Sequence, residues 1–201
     1  MTMKNNMRSF ESITAEMRRL QMPLPGEEVM VRVQDAKVVL ARGLTYFLSM
    51  AGYEMQWLPE YELVAEWLTD NRGKGLFLYG NCGRGKTMLC RYVLPAILLG
   101  YCQRVTSVFD TSEMNSRIGH VLTRNVISID DIGTEEVSNV YGNKRLAFAE
   151  VMDAAEKYNK LLIISSNLTS GEIKKRYGDR VLDRIKSMTQ RVLFEGESLR
   201  K

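Results

Sequence analysis

Residues 80–87 read Gly80-Asn81-Cys82-Gly83-Arg84-Gly85-Lys86-Thr87, directly after the apolar run Leu76-Phe77-Leu78-Tyr79 and directly before a helical pattern. Glycines bracketing four residues, with Lys and Thr following at once, are the spacing of a phosphate cradle. Glycine lets backbone N–H groups turn inward around an anion without a Cβ in the way, and the helix that follows presents its positive dipole end. Lys86 is then placed to bridge β- and γ-phosphate oxygens, and the Thr87 hydroxyl to ligate Mg²⁺. Gly80 through Met88 is therefore the segment expected to bind ATP. Cys82 inside the loop reads as a small filler rather than a redox switch.

A second group of residues supplies acids. Val126-Ile127-Ser128-Ile129 is an apolar strand ending in Asp130-Asp131. Asp130 is expected to hold magnesium through a water, and Asp131 to position or activate an attacking water. Two acids favour hydrolysis over simple nucleotide holding. A third apolar run, Leu161-Leu162-Ile163-Ile164-Ser165-Ser166, ends in Asn167, whose amide can bond a γ-phosphate oxygen and the lytic water together.

These residues need a scaffold that brings three strand ends to one edge. From Gly75 onward short apolar runs alternate with helical segments. Strands are expected at Leu76–Tyr79, Val105–Phe109, Val126–Ile129, Leu161–Ser165 and Val192–Phe194. Helices are expected at Lys86–Leu99, Ser112–Leu122, Lys144–Tyr158, Gly171–Tyr177 and Arg180–Met188, the fourth started by the Thr169/Glu172 capping spacing. Such alternation predicts an α/β fold: a parallel five-stranded sheet sandwiched by helices. Residues 1–60 read as a helical N-terminal region, with helices at Arg8–Leu20 and Glu28–Leu48, and residues 61–201 as the nucleotide domain, which opens on a helix at Tyr61–Asp70.

Composition narrows the classes. The 201 residues suffice for one such domain and an appendage, and the longest apolar stretch, Tyr92 to Tyr101, is about half of the roughly 20 residues a membrane-spanning helix needs. No signal peptide is visible, and three cysteines without a CxxC pair fit a reducing cytoplasm. A single histidine, His120, excludes a His-rich metal site. The net charge of +4 permits nucleic-acid contact without arguing for it, but seven basic residues against two acidic ones lie between Lys174 and Arg191.

From about Trp57 to Arg200 the chain resembles AAA+ P-loop ATPases, and within them the DnaC-type helicase loaders and IstB-type transposition helpers. The resemblance rests on residues 80–87, Ile129-Asp130-Asp131-Ile132-Gly133, Ser166-Asn167-Leu168-Thr169, Tyr177-Gly178-Asp179-Arg180-Val181-Leu182-Asp183-Arg184 and Gly196-Glu197-Ser198-Leu199-Arg200. It implies that an arginine after the third polar strand end reaches the ATP of a neighbouring subunit. Arg184 matches that position best, and Arg180, one helical turn away, is its competitor. It implies too that Arg200 senses the γ-phosphate within its own subunit.

Two departures stand beside that resemblance. The stretch between Lys86 and Asp130 is shorter than usual. It carries single-stranded DNA contacts in helicase loaders, so such contact is in question here. The chain also stops at Lys201 without a helical C-terminal lid domain. The implied function is a homo-oligomeric ATPase loading a replicative helicase in DNA replication. A rival within the resemblance is a transposition helper that meets a transposase, and outside it a nucleotide-gated adaptor with little turnover or a P-loop small-molecule kinase. By analogy, residues 10–20 and 31–48 would grip the protein partner.

Overall fold

The computed structural model describes residues 8–22, 24, 26–134, 138–140 and 143–199. In chain order these form α1 (Phe10–Arg19), α2 (Ala36–Met50), α3 (Pro59–Thr69), β1 (Gly75–Gly80), α4 (Lys86–Met88), a π turn (Leu89–Val93), α5 (Leu94–Cys102) and β2 (Ser107–Asp110). Then come α6 (Thr111–Ser116), α7 (Ile118–Leu122), β3 (Val126–Ile132), β4 (Ser138–Val140), β5 (Asn143–Arg145), α8 (Ala147–Tyr158) and β6 (Leu161–Ser166). The chain finishes with α9 (Ser170–Tyr177), α10 (Asp179–Met188) and β7 (Thr189–Phe194).

β1, β2, β3, β6 and β7 build one parallel sheet in the order β2-β3-β6-β1-β7, while β4 and β5 pair as a separate antiparallel hairpin. The continuous apolar runs follow from burial on both faces, as parallel sheets require. Alternate residues of a strand enter opposite layers. Leu76 and Leu78 join Ile163, Val192 and Phe194 under α2, α3 and residues 89–98. Phe77 joins Ile127, Ile129, Leu162 and Ile164 under α6 to α10. Strand β6 is inserted between β1 and β3, in register Leu76↔Ile163 on one side and Ile127↔Leu162 on the other. That insertion sets the polar end of β6 between the loop after β1 and the acids of β3.

The five expected strands form, and so does the Thr169/Glu172 capping box at the start of α9. Three expected elements are corrected. Residues 28–35 are not helical: Val31 N–H donates to Asn71 Oδ1 (2.8 Å), Val33 N–H donates to Leu68 O (2.9 Å), and Asp35 adopts φ 51° before α2 begins. Apolar residues at helical spacing there are instead a strap along the α3–β1 turn, and Val31 and Val33 are buried in the same cluster as α2. The segment 112–122 is broken into α6 and α7 at Arg117, whose φ/ψ of −122°/28° is not helical. The helix expected from Lys144 begins at Ala147, because 143–145 pairs with 138–140. Among the described residues no helix is long and apolar enough to cross a membrane.

Candidate functional site

The loop 80–85 leaves β1 at Gly80, which holds φ 115° so close to β7 that a Cβ would lie 2.3 Å from the Phe194 carbonyl oxygen. Only glycine fits that approach. Gly85, also left-handed at φ 89°, precedes α4. The Tyr61 hydroxyl lies beneath it and is pushed up to about 12, by burial first and then by the Glu60 charge, offset in part by Arg84. Lys86 is buried, and its ammonium donates to the carbonyls of Gly80 (2.8 Å) and Asn81 (2.6 Å), spanning the loop. Burial holds Lys86 below the usual lysine range, opposed in part by Cys82 and by the carboxylates of Asp131 and Asp130. The loop lysine and both strand-end acids thus share one electrostatic neighbourhood. Thr87 and Met88 are half-buried beside it, and Cys82 is exposed.

Asp130 is buried at the end of β3 and accepts from the Ser165 hydroxyl at 2.6 Å. Its other oxygen lies 4.0 Å from the Arg91 guanidinium, carried on the π turn. The Ser165 hydroxyl oxygen in turn accepts the Asp131 N–H at 2.8 Å, so one side chain of β6 ties both acids together. Asp131 sits in the left-handed region at φ 60°, where the β3/β6 register shifts between Ile129 and Ile132. A non-glycine residue there carries strain of about 1 kcal/mol or more, and such strain concentrates at working sites. The bulge turns Asp131 toward the strand above, where its Oδ1 accepts from the Asn167 amide at 2.7 Å. Asn167 is exposed just past the end of β6.

Ser165 and Arg91 went unread in the sequence. Ser165 could have been found as a polar residue inside an otherwise apolar strand run; Arg91 could not, because the π turn that orients it has no local signature.

The arginines of α10 separate. Arg184 is buried, and its guanidinium bonds Glu156 (Nε to Oε2, 2.7 Å) and contacts Asp153, both on α8. Its burial has a simple cause: α10 packs on α8 through the face that carries Val181 and Ile185, and position 184 shares it. Arg180 faces out, three-quarters exposed, with Asp153 at 3.8 Å. Arg200 lies outside the described residues.

Thr87 and Asp130 offer hard oxygen donors suited to Mg²⁺, an ion that takes few protein ligands and completes its shell with phosphate and water. The described residues hold no cluster of three or more His, Cys, Asp or Glu that would bind a metal without a phosphate ligand.

No family model matches the sequence, and no curated protein matches it. Solved structures do. The DnaC helicase loader aligns over 82% of this chain and 93% of its own, at 22% identity and a TM-score of 0.52. DnaI aligns over 99% of this chain and 88% of its own, at 17% identity and a TM-score of 0.50. AMPPCP-bound DnaA from Aquifex aeolicus aligns over 71% of this chain and 49% of its own, at 17% identity and a TM-score of 0.50. At such identities the likeness is one of fold: the chain shares the parallel α/β fold of these solved structures.

Proposed function

We propose that this chain binds ATP with Mg²⁺, hydrolyses it, and acts in DNA replication as a nucleotide-controlled loader of a replicative helicase. The observation that carries the ATPase reading is the convergence of three strand ends. The loop after β1 holds Lys86, the bulged end of β3 holds Asp130 and Asp131, and Asn167 from the strand between them bonds Asp131. The likeness of fold to the DnaC loader and DnaI supports the step from ATPase to loader.

In this reading phosphate oxygens replace the Gly80 and Asn81 carbonyls as partners of Lys86. Loop N–H groups and the helix start stabilise the remaining charge. Thr87 and Asp130 are the residues that would hold Mg²⁺, which would supply positive charge to the triphosphate. Asp131 orients the attacking water, with Asn167 holding the carboxylate in place until the γ-phosphate arrives. Turnover is slow, because Asp131 is one methylene shorter than glutamate and already engaged by Asn167. Of the α10 arginines, Arg180 reaches the neighbouring subunit's nucleotide in an ATP-bound homo-oligomer, since Arg184 is committed to α8. The exposed apolar side of α1, with Phe10 and Leu20, meets the protein partner in the cytoplasm. Single-stranded DNA is a secondary contact at most.

The test is a pull-down with the full chain carrying Asp131→Ala in saturating ATP, beside ATP-binding and phosphate-release assays. Capture of a hexameric helicase, with ATP bound and not turned over, is the expected result. Capture of a transposase would move the reading to the transposition helpers, and an absence of ATP binding by the unaltered chain would sink it.

A further inference from the structure

After β7 the chain turns back across the outside of the phosphate loop. Asn81 N–H donates to the Phe194 carbonyl at 2.8 Å, and the Asn81 side-chain amide to the Gly196 carbonyl at 2.9 Å. The Leu199 N–H donates to the Gly83 carbonyl at 3.0 Å. Loop and tail touch at the level of the backbone: a Cβ on Gly83, which holds φ 76°, would fall 2.0 Å from the Ser198 hydroxyl. A planar trans peptide points its C=O and N–H in opposite directions. Fixing the Gly83 carbonyl against the tail therefore aims the Arg84 N–H at the other side of the loop, where a phosphate is received.

The tail is clamped by one ion pair. Glu60, in the first turn of α3, accepts from Arg84 Nη2 at 2.7 Å and, with the same Oε1, from the Glu195 N–H at 3.2 Å. Arg84 Nη1 reaches the Glu197 carbonyl at 3.4 Å. Both side chains are about nine-tenths buried. Glu60 Oε2 and Arg84 Nε have no hydrogen-bond partner among the described residues. A buried pair with one unsatisfied atom on each side is a poor way to add stability, since desolvation consumes the attraction. It does fix direction: the guanidinium is drawn outward, to α3 and the tail, and so is not available to phosphate.

We propose that Glu60 and Arg84 are positioning residues that couple the seating of residues 195–199 on the phosphate loop to nucleotide binding. This deepens the ATP reading and rests on it. With the pair intact the Gly83 carbonyl stays bound to the tail and the Arg84 N–H stays aimed at the triphosphate. Without it the tail lifts, the Gly83–Arg84 peptide plane is released, and ATP binds more weakly. By reciprocity ATP holds the tail down by the same factor.

The experiment uses the full chain and reads ATP affinity by titration, the melting temperature, and amide hydrogen exchange at Leu199 with and without ATP. Glu60→Gln is expected to weaken ATP binding by about tenfold, within the usual range of coupling between sites. Leu199→Pro, which removes the N–H given to Gly83, is expected to do the same, and the double variant to lose little more than either alone. Arg84→Lys, which keeps the charge, is expected to retain most of the affinity, and ATP to slow exchange at Leu199 in the unaltered chain. A Glu60→Gln protein that melts earlier yet binds ATP normally would show a merely structural pair and overturn the proposal. So would losses that add in full in the double variant, or exchange at Leu199 indifferent to ATP. If the unaltered chain bound no ATP, the nucleotide reading itself would fall and the coupling with it. Normal binding in every variant would overturn the coupling alone.

Discussion

The phosphate loop and helix α10 are both basic and both conspicuous in the sequence, yet their charged side chains are placed in different ways. In the loop, Lys86 is held by two backbone carbonyls of the loop itself, and the glycines set its path through their own φ angles. The turns of the loop and the partners of its lysine lie within eight residues, and the tail and Glu60 brace it from outside. In α10, Arg180 and Arg184 differ by one helical turn, and their fates depend on α8, some 25 residues upstream in sequence: Arg184 is buried against Glu156 and Asp153, while Arg180 is exposed. The path of the loop follows from its own glycines, whereas the role of a helix side chain is assigned by whatever packs against it.

The largest effect expected from this contrast is at Lys86. Lys86→Ala should lower ATP binding or turnover by about a hundredfold or more with the fold retained, because it removes the ammonium that spans the loop. Circular dichroism and nucleotide titration check this, and undiminished hydrolysis would break the comparison at its first term. Next comes Arg180→Ala. In an assembled sample it should cut hydrolysis by roughly a thousandfold while sparing ATP binding. Mixing it with an Asp131→Ala variant should restore part of the activity if the arginine acts between subunits. No recovery with assembly verified would count against a shared site.

Smaller, and of a different kind, is Arg184→Ala. It strips charge-assisted bonds from α8 and should cost about 1–3 kcal/mol of stability in a denaturant melt, with per-subunit ATP affinity unchanged. Were Arg184→Ala to abolish hydrolysis at full stability instead, the assignments of the two arginines would reverse. The smallest effect concerns thiols. Cys82 is exposed on the loop, whereas burial, aided by the Asp130 charge, pushes the Cys90 thiol far up. A thiol reagent near neutral pH should therefore modify Cys82 and leave Cys90 untouched until the protein unfolds, and ATP should slow the Cys82 reaction severalfold. Mass spectrometry of the labelled peptides gives the answer.

The parts of the fold that could be read along the chain were those in which local pattern and tertiary setting agree. The runs 76–79, 126–129 and 161–165 are predominantly apolar because both faces of a parallel sheet are buried, and all three are strands. The 28–35 segment misled because Val31 and Val33 also satisfy a helical spacing, and it takes Asn71 and Leu68, far along the chain, to pin their backbone as an extended strap. Ser165 stayed hidden for the same reason. Its place between Asp130 and Asp131 exists only because β6 is inserted beside β3 with a register shift.

By itself, then, the order of residues determined the phosphate loop, the strand and helix alternation and the two acids, because each is a property of neighbours in the chain: glycine φ angles, apolar runs, and a strand that ends. The tertiary structure alone decided that Asn167 holds Asp131, that Glu60 clamps Arg84 beneath the tail, and that Arg184 faces inward. Those pairings join residues 24 to 36 positions apart, and the bond from the Glu195 N–H to Glu60 spans 135. Which side chains meet over such distances is set by sheet order and helix packing, and no local pattern along the chain encodes either.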